Sequence, residues 1–459
     1  MILWYLAGFG IASAWAPLAT RPADLTRLAV GEELTVVLST REPGAMSAER
    51  AQSLLSVDAD FRPETLLRRN RNFVRVQISG EHDDHSLSEA ASIAVLEVGD
   101  GVLVWRHAWA LAGRYHLSFV LDHGNCSRSV WGRTNASDLC VNLAGRDHHF
   151  GELRVAVVTA GAARAARAPC SAAELRWRVV AADLSDGWWR SARDAIENSS
   201  DLRWELAACD GFESALKQAF DRAMARWTAG SCECRRIVAI GDSNSQRLFN
   251  GALKKMLAPA GVGLAFTPVY HNDNEYAKRW GVIDSALGDN RVAVILGPDA
   301  HNSTKTVAVD RTEFVAHISR VARRVPAAVQ WGSFDSNPAI IPERYVGQRL
   351  DRSSWRIAAK NAVEREVVEA EGIRYVDAFG LTLPLHPWRQ DTVHLNNPHF
   401  AEAVVHRLLP MLVFVELERS CARALDAAPS NRTEPTSPTR RATGASRATP
   451  GPKKKACRG

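Results

Sequence analysis

The ten residues 236–245, RIVAIGDSNS, constrain the fold of this chain more than any other stretch. Residues 237–240 form a short apolar run rich in β-branched side chains, which is typical of a buried parallel strand. The run stops at Gly241, and after Ser243 apolar residues recur at helical spacing. The sequence therefore predicts a strand, a tight turn that carries a serine, and a helix.

Ser243 on such a turn is open to two interpretations. Its hydroxyl can stand clear of the sheet beside the first N–H groups of the helix, which can hold a developing oxyanion. A serine in this place can also be an ordinary N-cap residue. From this stretch alone, a catalytic nucleophile and a helix cap are both consistent with the residues.

From residue 236 onward the chain alternates between strand and helix patterns. We predict strands at 237–240, 264–269, 292–296, 327–331 and 373–376, and helices at 245–257, 276–287, 310–325, 351–371 and 398–415. This alternation predicts a doubly wound α/β domain with a mainly parallel sheet over residues 236–420. Ligands bind such sheets outside the carboxyl ends of the strands. Ser243, residues 297–302 and the loop before the last helix all fall at that edge.

The preceding region, 24–160, shows a different pattern of short β-type runs between polar or turn residues. The clearest runs are 34–37, 73–78, 93–98, 102–105, 115–121 and 153–158. Because no long helical pattern separates most of them, we expect an N-terminal β-sandwich of the Ig or filamin kind. Such a domain can bind a carbohydrate or a partner, or it can serve as a scaffold, which is the favoured interpretation.

Two segments of unusual composition complete the chain. Residues 161–235 form an Ala/Arg linker and a Trp-rich connecting region with a predicted helix at 212–227. Residues 426–459 are rich in Pro, Ser, Thr and Arg and are expected to be disordered. The net charge of +6 lies entirely in this tail, which holds eight Lys or Arg and two acidic residues. We therefore expect no nucleic-acid partner.

The N-terminus and the cysteines point to the secretory pathway. Residues 1–19 are almost entirely apolar but short for a membrane span, so a cleaved signal peptide is favoured over a membrane anchor. Five glycosylation sequons and eight cysteines suit an oxidising lumen, and we expect two separate disulfides rather than a metal site at Cys232 and Cys234. Disulfides are likewise expected at Cys126, Cys140, Cys170 and Cys209.

A partner for Ser243 occurs at the far end of the α/β region, in the segment Asp391-Thr392-Val393-His394. A nucleophilic serine needs a base within hydrogen-bond reach and a group that orients the base. The three-residue spacing lets the Asp391 carboxylate turn back to Nδ1 of His394 while Nε2 faces Ser243. Its place before the last helix predicts that the segment meets Ser243 at one sheet edge.

Gly-Asp-Ser at 241–243 together with Asp-Thr-Val-His at 391–394 resembles the SGNH, or GDSL-type, hydrolase superfamily over about 180 residues. The resemblance implies a flavodoxin-like catalytic domain with Ser243 as nucleophile, His394 as base and Asp391 as its orienting partner. A glycine followed by a histidine after the third strand is similar to the PC-esterase branch. A sandwich before such a domain is similar to the layout of NXPE proteins.

The resemblance also implies an oxyanion hole. In this family the serine's own N–H, a glycine and a side chain from a later conserved segment form the oxyanion hole. In this chain the matching later segment follows the third strand and reads Gly297-Pro298-Asp299-Ala300-His301-Asn302. His301 is the better match for the side chain and Asn302 the second, with Gly297 beside them. The glycine that the family uses in the oxyanion hole has two candidates in this chain, Gly261 and Gly281.

We expect serine-dependent acyl-ester chemistry on a glycan, through either an esterase or an O-acyltransferase. Asp242 and Asn244, which flank the nucleophile, are expected to contact the substrate. No cofactor is expected, although a transferase would use an acetyl donor. The alternative is an inactive secreted protein that binds glycans or mediates adhesion.

Overall fold

The computed structural model describes residues 17–40, 46–81, 87–99, 101–109, 111–124, 126, 141–142, 149–159, 177–180, 203–206, 212–230, 232, 234, 236–269, 275–287, 292–298, 307–335, 353–383 and 401–426. Within these ranges, no helix combines the length and the apolar character needed to cross a bilayer. The predicted signal peptide or anchor and the C-terminal tail lie outside them.

The N-terminal part is built mainly of strands. In chain order its elements are β1 (Ala19–Arg21), β2 (Leu28–Ala29), β3 (Glu33–Ser39), α1 (Ala48–Leu54), α2 (Pro63–Arg69), β4 (Phe73–Glu81), β5 (Leu87–Ser92), β6 (Val95–Gly99), β7 (Val102–Ala108), β8 (Gly113–Gly124), β9 (Val141–Asn142), β10 (His149–Val158), β11 (Trp177–Val180) and β12 (Arg203–Leu206). All six predicted runs are strands. The two short helices were not predicted.

These strands form two sheets that share one apolar core. The first sheet has the order β1-β3-β7-β6 and the second has the order β12-β11-β5-β4-β8-β10-β2, with β9 added to β8. Every pairing is antiparallel except that of β10 with β2. Residues of both sheets, among them Trp105 of β7 and Phe119 of β8, pack in the same cluster. The Ig or filamin character of this region and its limits at 24–160 stay predictions.

The C-terminal part alternates between strands and helices. Its elements are α3 (Phe212–Thr228), β13 (Arg236–Gly241), α4 (Ser243–Gln246), a π-helical segment (Arg247–Leu253), α5 (Lys254–Leu257), a 3₁₀ turn (Ala258–Ala260), β14 (Gly263–Pro268), α6 (Glu275–Ala286), β15 (Val292–Leu296), α7 (Val307–Arg324), β16 (Ala327–Trp331), α8 (Ser354–Ala370), β17 (Arg374–Val376), α9 (Ala378–Thr382), a second π-helical segment (Ala401–Leu408) and α10 (Leu409–Asp426).

The five strands of this part form one parallel sheet in the order β14-β13-β15-β16-β17, which is the flavodoxin-like order. Alternate side chains of β13 enter two different cores: Ile237 and Ala239 pack on one face, and Val238 and Ile240 on the other. Helices cover both faces, so the predicted doubly wound arrangement is confirmed. The last helix continues to Asp426, eleven residues past its predicted end at 415, because its apolar face packs along β16 and α3.

Helix α8 connects the two parts of the chain. It is buried on nearly every face, and its Trp355 packs edge-on against Phe73 of β4 at 5.3 Å between ring centroids. The Trp355 indole Nε1 donates to the carbonyl oxygen of Ile93 at 3.3 Å. At the start of the same helix, Ser354 Oγ donates to Asp335 at 2.6 Å, just beyond the carboxyl end of β16. The N-terminal sheets therefore contact the α/β part beside the carboxyl edge of its sheet.

A disulfide joins the chain before β13 to the last helix. It links Cys232 to Cys421, with 5.7 Å between their Cα atoms, although Cys421 was not among the cysteines expected to pair. Cys234, predicted to form a separate disulfide, is instead a buried thiol whose Sγ lies 3.7 Å from Cys421 Sγ. The prediction for Cys232 is confirmed and that for Cys234 is wrong, because three sulfurs meet where only one pair can bond.

Candidate active site

Ser243 is the first residue of α4, two residues after the strand β13 ends at Gly241. Strands β14 and β15 flank β13, so the serine lies at the carboxyl edge of the sheet beside its inner strands. It is partly exposed. The N-cap is not Ser243 but Asp242, which has an extended backbone and a carboxylate that accepts hydrogen bonds from the helix. The interpretation of Ser243 as the N-cap is therefore wrong.

The Asp242 carboxylate shapes the turn around Ser243. Its Oδ1 accepts the N–H groups of Asn244 and Ser245 at 3.0 and 3.1 Å. Two of the helix N–H groups expected to be available to an oxyanion are thus bound by the cap. The N–H of Ser243, which the family resemblance names, is not among the groups that Asp242 accepts. Asp242 and Asn244 are both buried, and their predicted contacts with substrate stay predictions.

Two glycines allow the strand ends to approach each other beside this turn. A Cβ on Gly241 would lie 2.0 Å from the hydroxyl oxygen of Ser245, and a Cβ on Gly297 would lie 2.1 Å from it. The Gly297 N–H donates to the carbonyl oxygen of Ile240 at 2.6 Å. Because the Gly297 N–H is bound to Ile240 within the sheet, it does not point to Gly297 as a hydrogen-bond donor to an oxyanion. Its evident role is to leave room for Ser245.

Arg279 of α6 holds the same strand end from the other side. Its side chain is buried, and Nη1 donates to the Gly297 carbonyl oxygen at 2.8 Å. Sequence reasoning missed this residue. The available signal was the presence of an arginine at helical spacing on the apolar face that also carries Ile283 and Leu287.

His317 of α7 lies close to this arginine. Its ring lies 5.4 Å from that of Tyr276, between ring centroids, and its Nε2 has no hydrogen-bond partner among the residues that the structure describes. Burial, with smaller contributions from the charges of Arg279 and Arg320, lowers the pKa of His317 from 6.5 to about 3. The imidazole is therefore neutral at neutral pH and does not add a second positive charge beside Arg279.

The neutral state of His317 predicts a pH dependence of stability. The unfolded chain binds a proton below pH 6.5 that the folded chain does not bind until about pH 3. The stability contributed by this site is therefore complete above pH 6.5 and is lost as the pH falls. Between pH 6.5 and about pH 3, we expect the free energy of unfolding to fall by about 1.4 kcal/mol per pH unit. Urea unfolding at pH 7, 6 and 5 should show this fall of the unfolding free energy with falling pH in the natural protein and not in His317→Phe. An equal pH dependence in the two proteins would contradict the assignment.

The other predicted catalytic residues, Asp391 and His394, lie outside the described residues, as do His301 and Asn302. Their segment is bracketed by described elements. Helix α9 starts directly after β17, at the carboxyl edge of the sheet. The π-helical segment 401–408 packs against the π-helical segment 247–253, which continues the helix of Ser243. Both ends of the segment 384–400 are thus attached to elements that adjoin this edge.

The two candidates for the family's oxyanion-hole glycine do not lie beside Ser243 in the turn after β13. Gly261 has a left-handed backbone, with φ 67°, and ends the 3₁₀ turn before β14 begins. It therefore lies at the amino edge of the sheet, opposite Ser243, and cannot serve. Gly281 lies in the middle of α6. The loop that leaves β14 at the correct edge, 270–274, lies outside the described residues.

No protein-family model and no curated protein matches the chain. Among solved structures, it is similar to LAE5, an α/β hydrolase enzyme from the metagenome of Lake Arreo, Spain, with 15% identity and a TM-score of 0.29 over 39% of this chain and 96% of that one. It is also similar to an extracellular lipase from Streptomyces rimosus, with 13% identity and a TM-score of 0.26 over 39% and 98%. For Axe2, an acetylxylan esterase from Geobacillus stearothermophilus, the values are 10% and 0.25 over 42% and 94%. These three solved structures are a hydrolase, a lipase and an esterase by name.

Proposed function

We propose that this protein is a serine-dependent hydrolase of acyl esters. The observation that carries the proposal is the position of Ser243, on the first helical residue after an inner parallel strand, with the capping done by Asp242. A serine that is not needed as a cap, at the ligand-binding edge of a doubly wound sheet, is suited to act as a nucleophile.

In the proposed reaction, Ser243 Oγ attacks the acyl carbonyl carbon while His394 Nε2 takes the hydroxyl proton. Asp391 holds the imidazole through Nδ1–H and stabilises the imidazolium. The oxyanion is bound by the Ser243 N–H, with His301, or alternatively Asn302, as the side-chain donor. The alcohol leaves with the proton from His394, and an acyl-serine remains. The acceptor then attacks this intermediate with His394 again acting as base.

We infer from the resemblance to the PC-esterase branch that the acyl group is acetyl and that the substrate is a glycan of the secretory pathway. Water as the acceptor makes the protein an O-acetyl esterase, and a sugar hydroxyl makes it an O-acetyltransferase that needs an acetyl donor. The two reactions share the nucleophile and differ in whether the pocket excludes water. We infer that the N-terminal sheets extend the glycan site, and their contact with the α/β part near this edge through Trp355 supports this inference.

Covalent labelling tests the nucleophile directly. A fluorophosphonate phosphonylates an activated serine with loss of fluoride, and cleavage after Arg236 and Arg247 releases one peptide that contains both Ser243 and Ser245. We expect fragmentation of this peptide to place the label on Ser243, because Ser245 is buried between two glycines. Ser245 is thus a control within the same peptide. A label on Ser245 or on a serine elsewhere in the chain would refute the assignment.

The same preparation separates the enzyme from the binding protein that is the alternative. An acetylated oligosaccharide is incubated with the protein, and released acetate and retained sugar are both measured. Acetate release supports an esterase, and acetyl transfer to added unacetylated sugar supports a transferase. Retention of the sugar with neither reaction and no labelled serine would replace the proposal with an inactive glycan-binding protein.

A further inference from the structure

Arg279 is a buried cation placed where the α6 sequence otherwise supplies apolar side chains. It follows the periodicity of Ile283 and Leu287, and a leucine at 279 would continue that face. Burying a guanidinium group is costly unless its hydrogen bonds and charge are used. A residue of this kind is therefore poorly explained by packing alone, and its contacts indicate what it does.

The contacts of Arg279 lead to the turn that carries Ser243. Nη1 binds the carbonyl oxygen of Gly297, the residue that follows β15, at 2.8 Å. Gly297 in turn binds Ile240 of β13 through its N–H, and its Cα faces the Ser245 side chain so closely that no Cβ fits between them. The β15 end is thus held against the β13 end and against the first turn of α4.

The path continues from Ser245 to the serine itself. The N–H of Ser245 donates to Asp242 Oδ1 at 3.1 Å, and its hydroxyl lies 3.4 Å from the same oxygen. Asp242 is the residue directly before Ser243 and fixes the start of the helix. A shift of the Gly297 backbone would press on or release Ser245, and through Asp242 it would turn the Ser243 hydroxyl away from its reacting position.

We propose that Arg279 is a positioning residue for Ser243, which acts by holding the Gly297 carbonyl and, through it, the capped turn. The proposal rests on the proposed function of Ser243 as a nucleophile. Arg279 is not a catalytic residue in this scheme, since the described contacts lead to the backbone of Gly297 and not to the reacting atoms. Its guanidinium is suited to the task because its charge is permanent and its N–H groups are rigidly oriented.

The test compares three variants with the natural protein in ester hydrolysis and in fluorophosphonate labelling. Arg279→Ala removes the contact, Arg279→Lys keeps a cation with different donor geometry, and Arg320→Ala is the matched control. Arg320 is an exposed arginine of α7 whose guanidinium lies 4.0 Å from the ring centroid of Trp280, the neighbour of Arg279. We expect Arg279→Ala to lower kcat about 100-fold with KM little changed, because a misplacement of about 1 Å has an effect of that size. Arg279→Lys should recover only part of this, and Arg320→Ala should stay within about twofold of the natural protein, as expected for an exposed site.

Added guanidinium ion provides a readout that a purely structural role would not move. Below denaturing concentrations, it should restore part of the kcat of Arg279→Ala and leave that of Arg320→Ala unchanged. A folded Arg279→Ala protein with unchanged kcat would overturn the proposal. So would failure of both Arg279 variants to fold, because it would assign the residue to folding.

Amide hydrogen exchange keeps this proposal separable from the nucleophile assignment. In Arg279→Ala the amides of Asn244 and Ser245, which donate to Asp242, should exchange faster than in the natural protein. Faster exchange without any labelled serine in the natural protein would sink the proposed function and keep only the part of the proposal in which Arg279 holds the turn capped by Asp242. If Ser243 is labelled, but amide exchange and the labelling rate are unchanged in Arg279→Ala, the proposed function stands and the positioning role of Arg279 is lost.

Discussion

Replacing Ser243 with alanine should lower kcat for ester hydrolysis about 10⁶-fold, the loss found when the nucleophile of a catalytic triad is removed. The change deletes the atom that forms the acyl intermediate. It leaves the cap in place, because Asp242 and not Ser243 accepts the N–H groups of the first turn. The folded structure should therefore survive, and a steady-state assay with 4-nitrophenyl acetate measures the loss of chemistry alone.

The control is Ser285→Ala, in the exposed face of α6. The Ser285 hydroxyl donates to the Val282 carbonyl within its own helix at 2.8 Å, so its loss should change neither activity nor folding noticeably. Thermal unfolding of both variants should match that of the natural protein within a few degrees. Undiminished turnover in a folded Ser243→Ala protein would remove Ser243 from the reaction.

Replacing Cys421 with serine should lower the free energy of unfolding by about 5 kcal/mol. The Cys232–Cys421 disulfide closes a loop with a sequence separation of 189 residues, and the chain-entropy model assigns a cross-link of that span about this value. The bond ties the segment that enters β13 to helix α10, so its loss also loosens the strand that leads to Ser243. Urea unfolding without reductant, against the natural protein with and without dithiothreitol, measures the effect.

The matched variant is Cys232→Ser, whose free energy of unfolding should fall much less than that of Cys421→Ser. Cys234 lies 3.7 Å from Cys421, sulfur to sulfur, and can form the cross-link in place of Cys232 with a loop of almost the same length. Peptide mapping without reductant should find Cys234 joined to Cys421 in this variant. Equal losses of stability in Cys232→Ser and Cys421→Ser, with no such cross-link, would contradict the expectation.

The parallel sheet could be predicted because its strands carry their own signal. A buried parallel strand is apolar on both faces, and 292–296 and 327–331 show such runs with the bounds that the structure has. Helix ends were predicted less well. The last helix passes its predicted end because packing on β16 and α3 supports it, and packing of this kind is not visible in a local pattern. The π-helical form of 247–253, beside the site, had no sequence signal at all.

The cap shows where local reasoning stops. Asp242 and Ser243 are both good N-cap residues, so the sequence could not decide which of them caps and which is available for chemistry. The backbone decides it: Asp242 is extended and Ser243 is the first helical residue, because β13 ends one residue earlier at Gly241. That assignment removes the main structural alternative to a nucleophile, while the pairing of Ser243 with Asp391 and His394 stays a prediction.

Residue order alone thus determined a doubly wound α/β region and a serine on the turn after an inner strand, since hydrophobic periodicity and turn chemistry act over neighbouring residues. Only the tertiary structure decided which cysteine pairs with Cys232, which glycines must lack a side chain, and that Arg279 reaches the β15 end. Each of these depends on contacts between residues that are distant along the chain, and no local pattern encodes the distance between them.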